Sequence, residues 1–218
     1  MCRFLLLKSA LPIEMRNVLF SFAQMAKKSK AYDGDSQKDG WGIAWRENGT
    51  WNSWKSINPI WEDEREFYRF KKTQMCVLHA RSASFPQHQN NILYNQPYVS
   101  GDYAYVFNGL LKGVTLSLPG DIGAQKIWSL LQTHLKTEDV TKSLQNSVSV
   151  LKSSSRLIQA VNIGLASADH IAAYSSYTIH PEYYTLHFVD TSEVKIISSE
   201  PIDGYHFTPH PSNSSLIL

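Results

Sequence analysis

The order of strand and helix patterns constrains this 218-residue chain more than any other feature. Apolar runs of strand character come early, at residues 3–7, 41–45, 51–54, 75–79 and 103–107, and the second and third flank the turn Glu47-Asn48-Gly49 as a hairpin. Strands return at 157–166, 171–174, 184–189 and 193–198. Helix periodicity lies between and around them. Ile13, Met15, Val18, Leu19, Phe22, Met25 and Ala26 recur at three- and four-residue intervals, which predicts an amphipathic helix from near Pro12. Lys27, Lys28 and Lys30 close it and complement its dipole. Ile127, Trp128, Leu130, Leu131 and Leu135 mark a second helix, and Val140, Leu144, Val148 and Leu151 a third. Strands early, helices in two blocks and strands again late suit sheets covered by helices better than a parallel βαβ fold, so the class is α+β. Asp33-Gly34-Asp35 and Asp39-Gly40 read as turns, residues 152–156 as a loop, and the Pro-, Ser- and Asn-rich tail from Pro209 as poorly ordered.

Length favours one domain, residues 1–218, with enough apolar and aromatic material for a full core. The 21 basic residues barely exceed the 19 acidic ones and form no cluster, which argues against nucleic-acid and membrane partners. No apolar run reaches a signal-peptide core or a spanning helix, so a cytoplasmic protein is expected. Two cysteines, Cys2 and Cys76, are too few for a disulfide framework and show no metal-ligand spacing.

The position of Cys2 carries the most chemistry. Removal of Met1 would make Cys2 the first residue, and a free α-amino group, with a pKa of about 7.7–8.0, can then take the proton of the thiol on its own residue. The bland alternative is a small hydrophobe that starts a core strand. Tyr103-Ala104-Tyr105-Val106-Phe107-Asn108-Gly109 reads as a strand ending in Asn-Gly. Asn108 offers a side-chain amide and Gly109 an unscreened backbone N–H to a tetrahedral oxyanion, although Asn-Gly alone also makes an ordinary turn. His79-Ala80-Arg81-Ser82-Ala83-Ser84 puts a guanidinium where a strand gives way to a loop, suited to a substrate carboxylate or to a structural ion pair.

Met1-Cys2-Arg3-Phe4-Leu5, Asp39-Gly40-Trp41-Gly42-Ile43-Ala44, His79-Ala80-Arg81 and Phe107-Asn108-Gly109-Leu110, in this order, resemble class II glutamine amidotransferases, most of all their stand-alone single-domain members. The match runs from Cys2 to about Leu131, with looser similarity at residues 164–174 and 194–201. The resemblance implies an N-terminal nucleophile hydrolase: a four-layer αββα sandwich of two antiparallel sheets, with no cofactor and no metal. Cys2 would attack the side-chain amide of glutamine or a γ-glutamyl-type amide and form a thioester. Asn108 and Gly109 would stabilise the oxyanion, Arg81 and the adjoining Ser82 would bind substrate, and the loop holding Gly40 and Trp41 would help wall the pocket. If ammonia is passed on, a separate protein must receive it.

Two positions depart from the family pattern. Where the family opens a helix with an Asp that holds the substrate α-ammonium, this chain has Gly123. Asp121 lies two residues upstream and is the candidate to bind substrate from there through a changed loop, although that displacement turns a helical side chain through roughly half a circle. Gln96, in Asn95-Gln96-Pro97-Tyr98, stands where the family commonly has His. The cleaving machinery is thus expected intact and the amino-acid groove altered, which favours a substrate whose α-amine is acylated, absent or differently held. An amidase or acyltransferase on another amide, and a non-catalytic binding relative, are the alternatives.

Overall fold

Leu5 and Leu7 alternate along the first strand with Phe4 and Leu6, and all four are fully buried, so this strand must be covered on both faces. That requirement organises the molecule. The computed structural model describes residues 1–29, 31–32 and 34–218, and Lys30 and Asp33, expected in a helix end and a turn, lie outside the described residues. In chain order the elements are β1 (Arg3–Glu14), α1 (Met15–Lys28), β2 (Trp41–Glu47), β3 (Thr50–Ser56), β4 (Lys72–Ala80), β5 (Tyr98–Ser100), β6 (Tyr103–Val114), α2 (Gly123–His134), α3 (Val140–Ser154), β7 (Ser155–Ala166), β8 (Ile171–Tyr177), α4 (Pro181–Tyr184), β9 (His187–Asp190), β10 (Val194–Ser198), β11 (Thr208–Pro209) and β12 (Ser214–Ile217).

One sheet runs β11-β9-β10-β1-β4-β2-β3 and the other β12-β8-β7-β6-β5. The pairs in both are antiparallel. Leu5, Leu7, Ile43 and Leu78 face outward onto Val18, Leu19 and Phe22 of α1. Phe4, Leu6, Val77, Val106 and Ala173 fill the layer between the sheets. Tyr105, Phe107 and Ile163 face Trp128 and Leu131 of α2 and Leu144 and Val148 of α3. The result is the αββα sandwich that the resemblance implied. A Cβ on Gly164 would lie 2.6 Å from Leu6 Cδ1, so a bare backbone there lets the sheets approach.

Four boundaries differ from the sequence expectation, each because sheet pairing overrode local signals. β1 continues to Glu14 by pairing Ile13 and Glu14 with Thr73 and Lys72 beyond a bulge, so α1 starts at Met15 rather than near Pro12. No loop separates α3 from β7, because Val114 pairs with Ser155 and the Ser154 carbonyl accepts from Thr115. β6 does not stop at Asn108-Gly109 but runs through it to Val114 against β7. The tail is ordered: β12 pairs with β8, and Leu218 and Ile171 exchange backbone hydrogen bonds. No helix among the described residues is long and apolar enough to cross a membrane.

Candidate active site

The pairing of Arg3 with Ala80 sets the start of β1 beside the end of β4, and therefore Cys2 beside Arg81 and Ser82. With a side-chain period of two, Cys2 shares the inter-sheet face with Phe4 and Leu6, His79 shares it with Val77, and Asn108 with Val106. Three strands thus deliver chemistry to one end of the middle layer. Arg3 anchors the start of β1: its guanidinium donates to Ser29 Oγ and to the carbonyls of Tyr183 and Ser199, pairs with Glu200 at 2.7 Å and stacks on the Tyr183 ring. The Cys2 thiol donates to the Ser82 carbonyl at 3.6 Å, and the Tyr183 hydroxyl donates to the Cys2 carbonyl at 3.2 Å.

Met1 precedes Cys2, so the chain-terminal amine lies on Met1, where it donates to Ser82 Oγ and stands 3.7 Å from the Asp35 carboxylate. Ser82 in turn donates to Asp35. Partial burial acts to raise the Asp35 pKa, but the Ser82 hydrogen bond and the terminal ammonium, with further help from the Ser36 backbone and Lys38, hold it below the ordinary value. Gln37 donates to the Met1 carbonyl at 3.1 Å, and the Met1 side chain, 9% exposed, packs with Ala31 and Tyr184. Nothing in the sequence distinguished Asp35, Gln37 or Tyr183 from ordinary turn and core residues.

Asn108 is 1% exposed, and neither its Nδ2 nor its Oδ1 has a hydrogen-bond partner among the described residues. Such an orphaned amide is rare in a folded protein. Backbone alternation explains the donor next to it. Phe107 N–H and C=O both point to the open edge of β6, where the Gln96 side chain meets them at 2.6 and 3.3 Å. Two residues on, the N–H of Gly109 points to the same edge. A Cβ on Gly109 would fall 2.2 Å from the Ala160 carbonyl, so glycine permits this close approach within the strand. Gln96 therefore spends both ends of its amide on the backbone beside Asn108.

Arg81 is buried, with Nη1 facing the Asp39 carbonyl and Asn95 Oδ1 and Nη2 donating to the His88 carbonyl at 2.7 Å. Its Nε–H has no acceptor among the described residues. The loop before β2 holds this segment from behind: Asp39 and Arg81 exchange a backbone bond, Gly40 accepts from Arg81 N–H, and the Asp39 carboxylate accepts from Ala83 N–H. Gly40 has φ +111°, and a Cβ there would strike Asn95. Neither Gly40 nor Trp41 lines the cavity described next. Trp41 points to the outer face, donates to Asp63 and packs on Trp54 and Phe67, because it shares the phase of Ile43.

One cavity of about 470 Å³ gathers Cys2, Arg81, Ser82, Gln96, Asn108 and Gly109 at one end and Asp121 and Gly123 at the other. Gly123 opens α2 with nothing within 4 Å of where a Cβ would be. Asp121 is exposed at the rim. Beneath the Cys2 end, His79 is fully buried with neither ring nitrogen in a well-formed hydrogen bond, and burial above all, aided by the charge of Arg81 and opposed by the nearby Phe107 backbone, pushes its pKa down to about 3. Among the described residues no cluster of three or more His, Cys, Asp or Glu side chains could hold a metal ion.

No protein-family model matches the chain, and no curated protein matches it. Solved structures do. A glutamine aminotransferase class-II domain protein from Silicibacter pomeroyi superposes with a TM-score of 0.67 at 10% identity, over 99% of this chain and 94% of that one. Glutamine phosphoribosylpyrophosphate amidotransferase from B. subtilis gives 0.71 at 14% identity over the whole of this chain, which spans 47% of that enzyme's length. A predicted glutamine amidotransferase from Pseudomonas aeruginosa gives 0.59 at 11% identity, over 99% and 96% of the two chains. The fold is that of class II glutamine amidotransferase domains, the resemblance read from the sequence.

Proposed function

We propose that this chain is a thiol-dependent amidohydrolase that cleaves the side-chain amide of glutamine or a γ-glutamyl-type amide through a thioester on Cys2. The observation that carries the reading is the orphaned Asn108 amide in the cavity that also holds the Cys2 thiol and Arg81. A buried amide with no partner costs stability, and a negatively charged oxygen formed beside it in the transition state would supply the missing partner.

Removal of Met1 transfers the free amine to Cys2. The amine takes the thiol proton, and Sγ adds to the amide carbon. The resulting oxyanion faces Asn108 Nδ2 and the Gly109 N–H. The ammonium returns its proton to the leaving nitrogen, the C–N bond breaks and ammonia departs. Water then adds to the thioester, releasing the carboxylic acid and the thiol. Arg81, with its Nε edge uncommitted, holds the substrate carboxylate. Ammonia is either released or handed to a separate protein.

Ammonia and glutamate release from glutamine and γ-glutamyl amides, measured against Cys2→Ala, tests the reading. Turnover that survives this substitution refutes it. A glutamine-like diazo-ketone should add once, at Cys2. Cys76 is fully buried and its thiol is pushed up to about 12, so labelling there would show that the reactive site lies elsewhere.

A further inference from the structure

The cavity does not end at the catalytic residues. It continues between the far half of β6 and the start of α2 over a floor of Ile127 and Leu151, with Leu111, Leu116, Leu118 and Ile122 along its sides. Ile127 and Leu151 are core residues, whereas the four side residues are only half-buried, so the cavity leaves apolar surface open to solvent. A cavity of about 470 Å³ is in the range that holds drug-sized ligands, well beyond the needs of one free amino acid.

The charges around it disfavour an ammonium. Its lining carries three cationic side chains, Arg81, Lys112 and Lys126, against one carboxylate, Asp121; Arg81 is the buried charge, whereas Lys112, Lys126 and Asp121 are all exposed and screened. The first turn of α2 adds partial positive charge, and the N–H groups of Gly123 and Ala124 have no acceptor among the described residues. An acylated nitrogen would present a carbonyl oxygen to those donors in place of a cation. The open space at Gly123 gives its chain passage to the apolar floor.

We infer that the substrate is an N-acylated glutamine-type amide, whose apolar acyl chain lies between β6 and α2 over Ile127 and Leu151. The inference rests on the reading of this cavity as the substrate site and names the substrate class that it takes.

Calorimetric titration of Cys2→Ala with glutamine and with N-acetyl-, N-butanoyl-, N-hexanoyl- and N-octanoyl-glutamine tests it. Affinity should rise about four-fold for each methylene buried, until the floor is covered, and glutamine should bind more weakly than any acylated form. Adding Leu116→Asp or Leu118→Asp, both half-buried loop positions clear of Cys2 and Asn108, should flatten the series while leaving N-acetylglutamine binding unchanged. Gly123→Asp, which puts a carboxylate into open space, should shift preference toward free glutamine by at least about ten-fold. A flat series in the parent, or glutamine bound as tightly as the octanoyl form, overturns the inference. Cys2-dependent ammonia release beside a flat series would leave the amidohydrolase standing without its acyl site. A steep series with no ammonia release from any of these amides would keep the acyl site and refute the catalytic reading.

Discussion

Removing the Asn108 side chain should separate stability from activity, because the structure assigns it a cost in one and a benefit in the other. Both polar atoms of its amide are buried without partners, and an unsatisfied buried polar group costs about 1–3 kcal/mol. Asn108→Ala deletes that penalty. It also deletes a few packed atoms, but the residue lines a cavity that opens to solvent, so water can fill the space and no sealed void remains. Stability should therefore stay level or rise by about 1 kcal/mol, a Tm shift of about 2–4 °C for a domain of this size. Turnover should move the other way, since loss of one oxyanion donor costs roughly 10²- to 10³-fold in kcat. Equilibrium urea unfolding and continuous ammonia release, measured on the same preparation, provide both readings. A kcat close to that of the parent removes Asn108 from the oxyanion site. A variant destabilised by several kcal/mol refutes the premise that the amide is orphaned, whatever its activity.

His79 should make the fold acid-sensitive. Its folded pKa of about 3 lies below the ordinary 6.5, so between those values the unfolded chain binds the extra proton and stability falls as pH falls, by at most about 1.4 kcal/mol per pH unit. His170, His187 and His210 are shifted the same way, so the test is the difference between parent and His79→Leu, whose profile should be flatter between pH 6.5 and 4. Equal slopes would mean that His79 takes its proton in the folded state. Gln96→Leu should lower kcat by about ten-fold with KM nearly unchanged, because Gln96 holds the Phe107 backbone and so aims Asn108 and Gly109. A raised KM at constant kcat would instead place Gln96 against the substrate. Gly109→Ala should destabilise by about 1–3 kcal/mol or more, since its Cβ would overlap the Ala160 carbonyl, and an unchanged urea midpoint would refute the need for close approach.

Much of the layer architecture was legible because both registers of periodicity were strong. Val18, Leu19 and Phe22 announced a helix with one apolar face, and the block order announced sheets under helices. Boundaries were not legible where pairing partners lie far along the chain. Asn108-Gly109 carries a turn signature, yet Asn162 and Val161 across the ladder hold it in a strand. The tail from Pro209 has the composition of a loop, but the open edge of β8 recruits Ser214–Ile217 as a twelfth strand. Cys2, Arg81 and Asn108, which one cavity brings together, could be picked out by residue type, and Cys2 and Arg81 also by their place at strand ends, whereas Asn108 lies inside β6. The Ser82 and Asp35 contacts to the terminal amine could not, because they join residues 35, 82 and 1 through tertiary structure alone.

The two side chains that most violate ordinary packing rules, Asn108 and His79, lie in the same middle layer, on adjacent sheets, at the end where Cys2 emerges. Most of the rest of that layer is hydrocarbon, with Phe4, Leu6, Val77, Val106 and Ala173, and the buried amide of Asn162, across the ladder from Asn108, is satisfied by the Tyr184 carbonyl and the Ser175 hydroxyl. A sandwich built only for stability would have continued the pattern with another valine or leucine at either position. Sequences that specify a fold break such local rules mainly where function requires it, and these two breaks fall at the Cys2 end of the layer. Asn108 has an evident beneficiary in a developing oxyanion. His79 has none in the chemistry proposed, because at neutral pH it is an uncharged ring beneath Arg81 that carries no surplus proton and has only the Phe107 backbone beside it. Its retention is best explained by shape and polarity: a flat, neutral ring can underlie the guanidinium without competing for its hydrogen bonds, whereas a second cation would oppose it. The pH profile of His79→Leu, read beside the KM of the same variant, therefore tests more than acid stability. A flatter profile with an unchanged KM would confine His79 to the fold, and a raised KM would make it a positioning residue for Arg81.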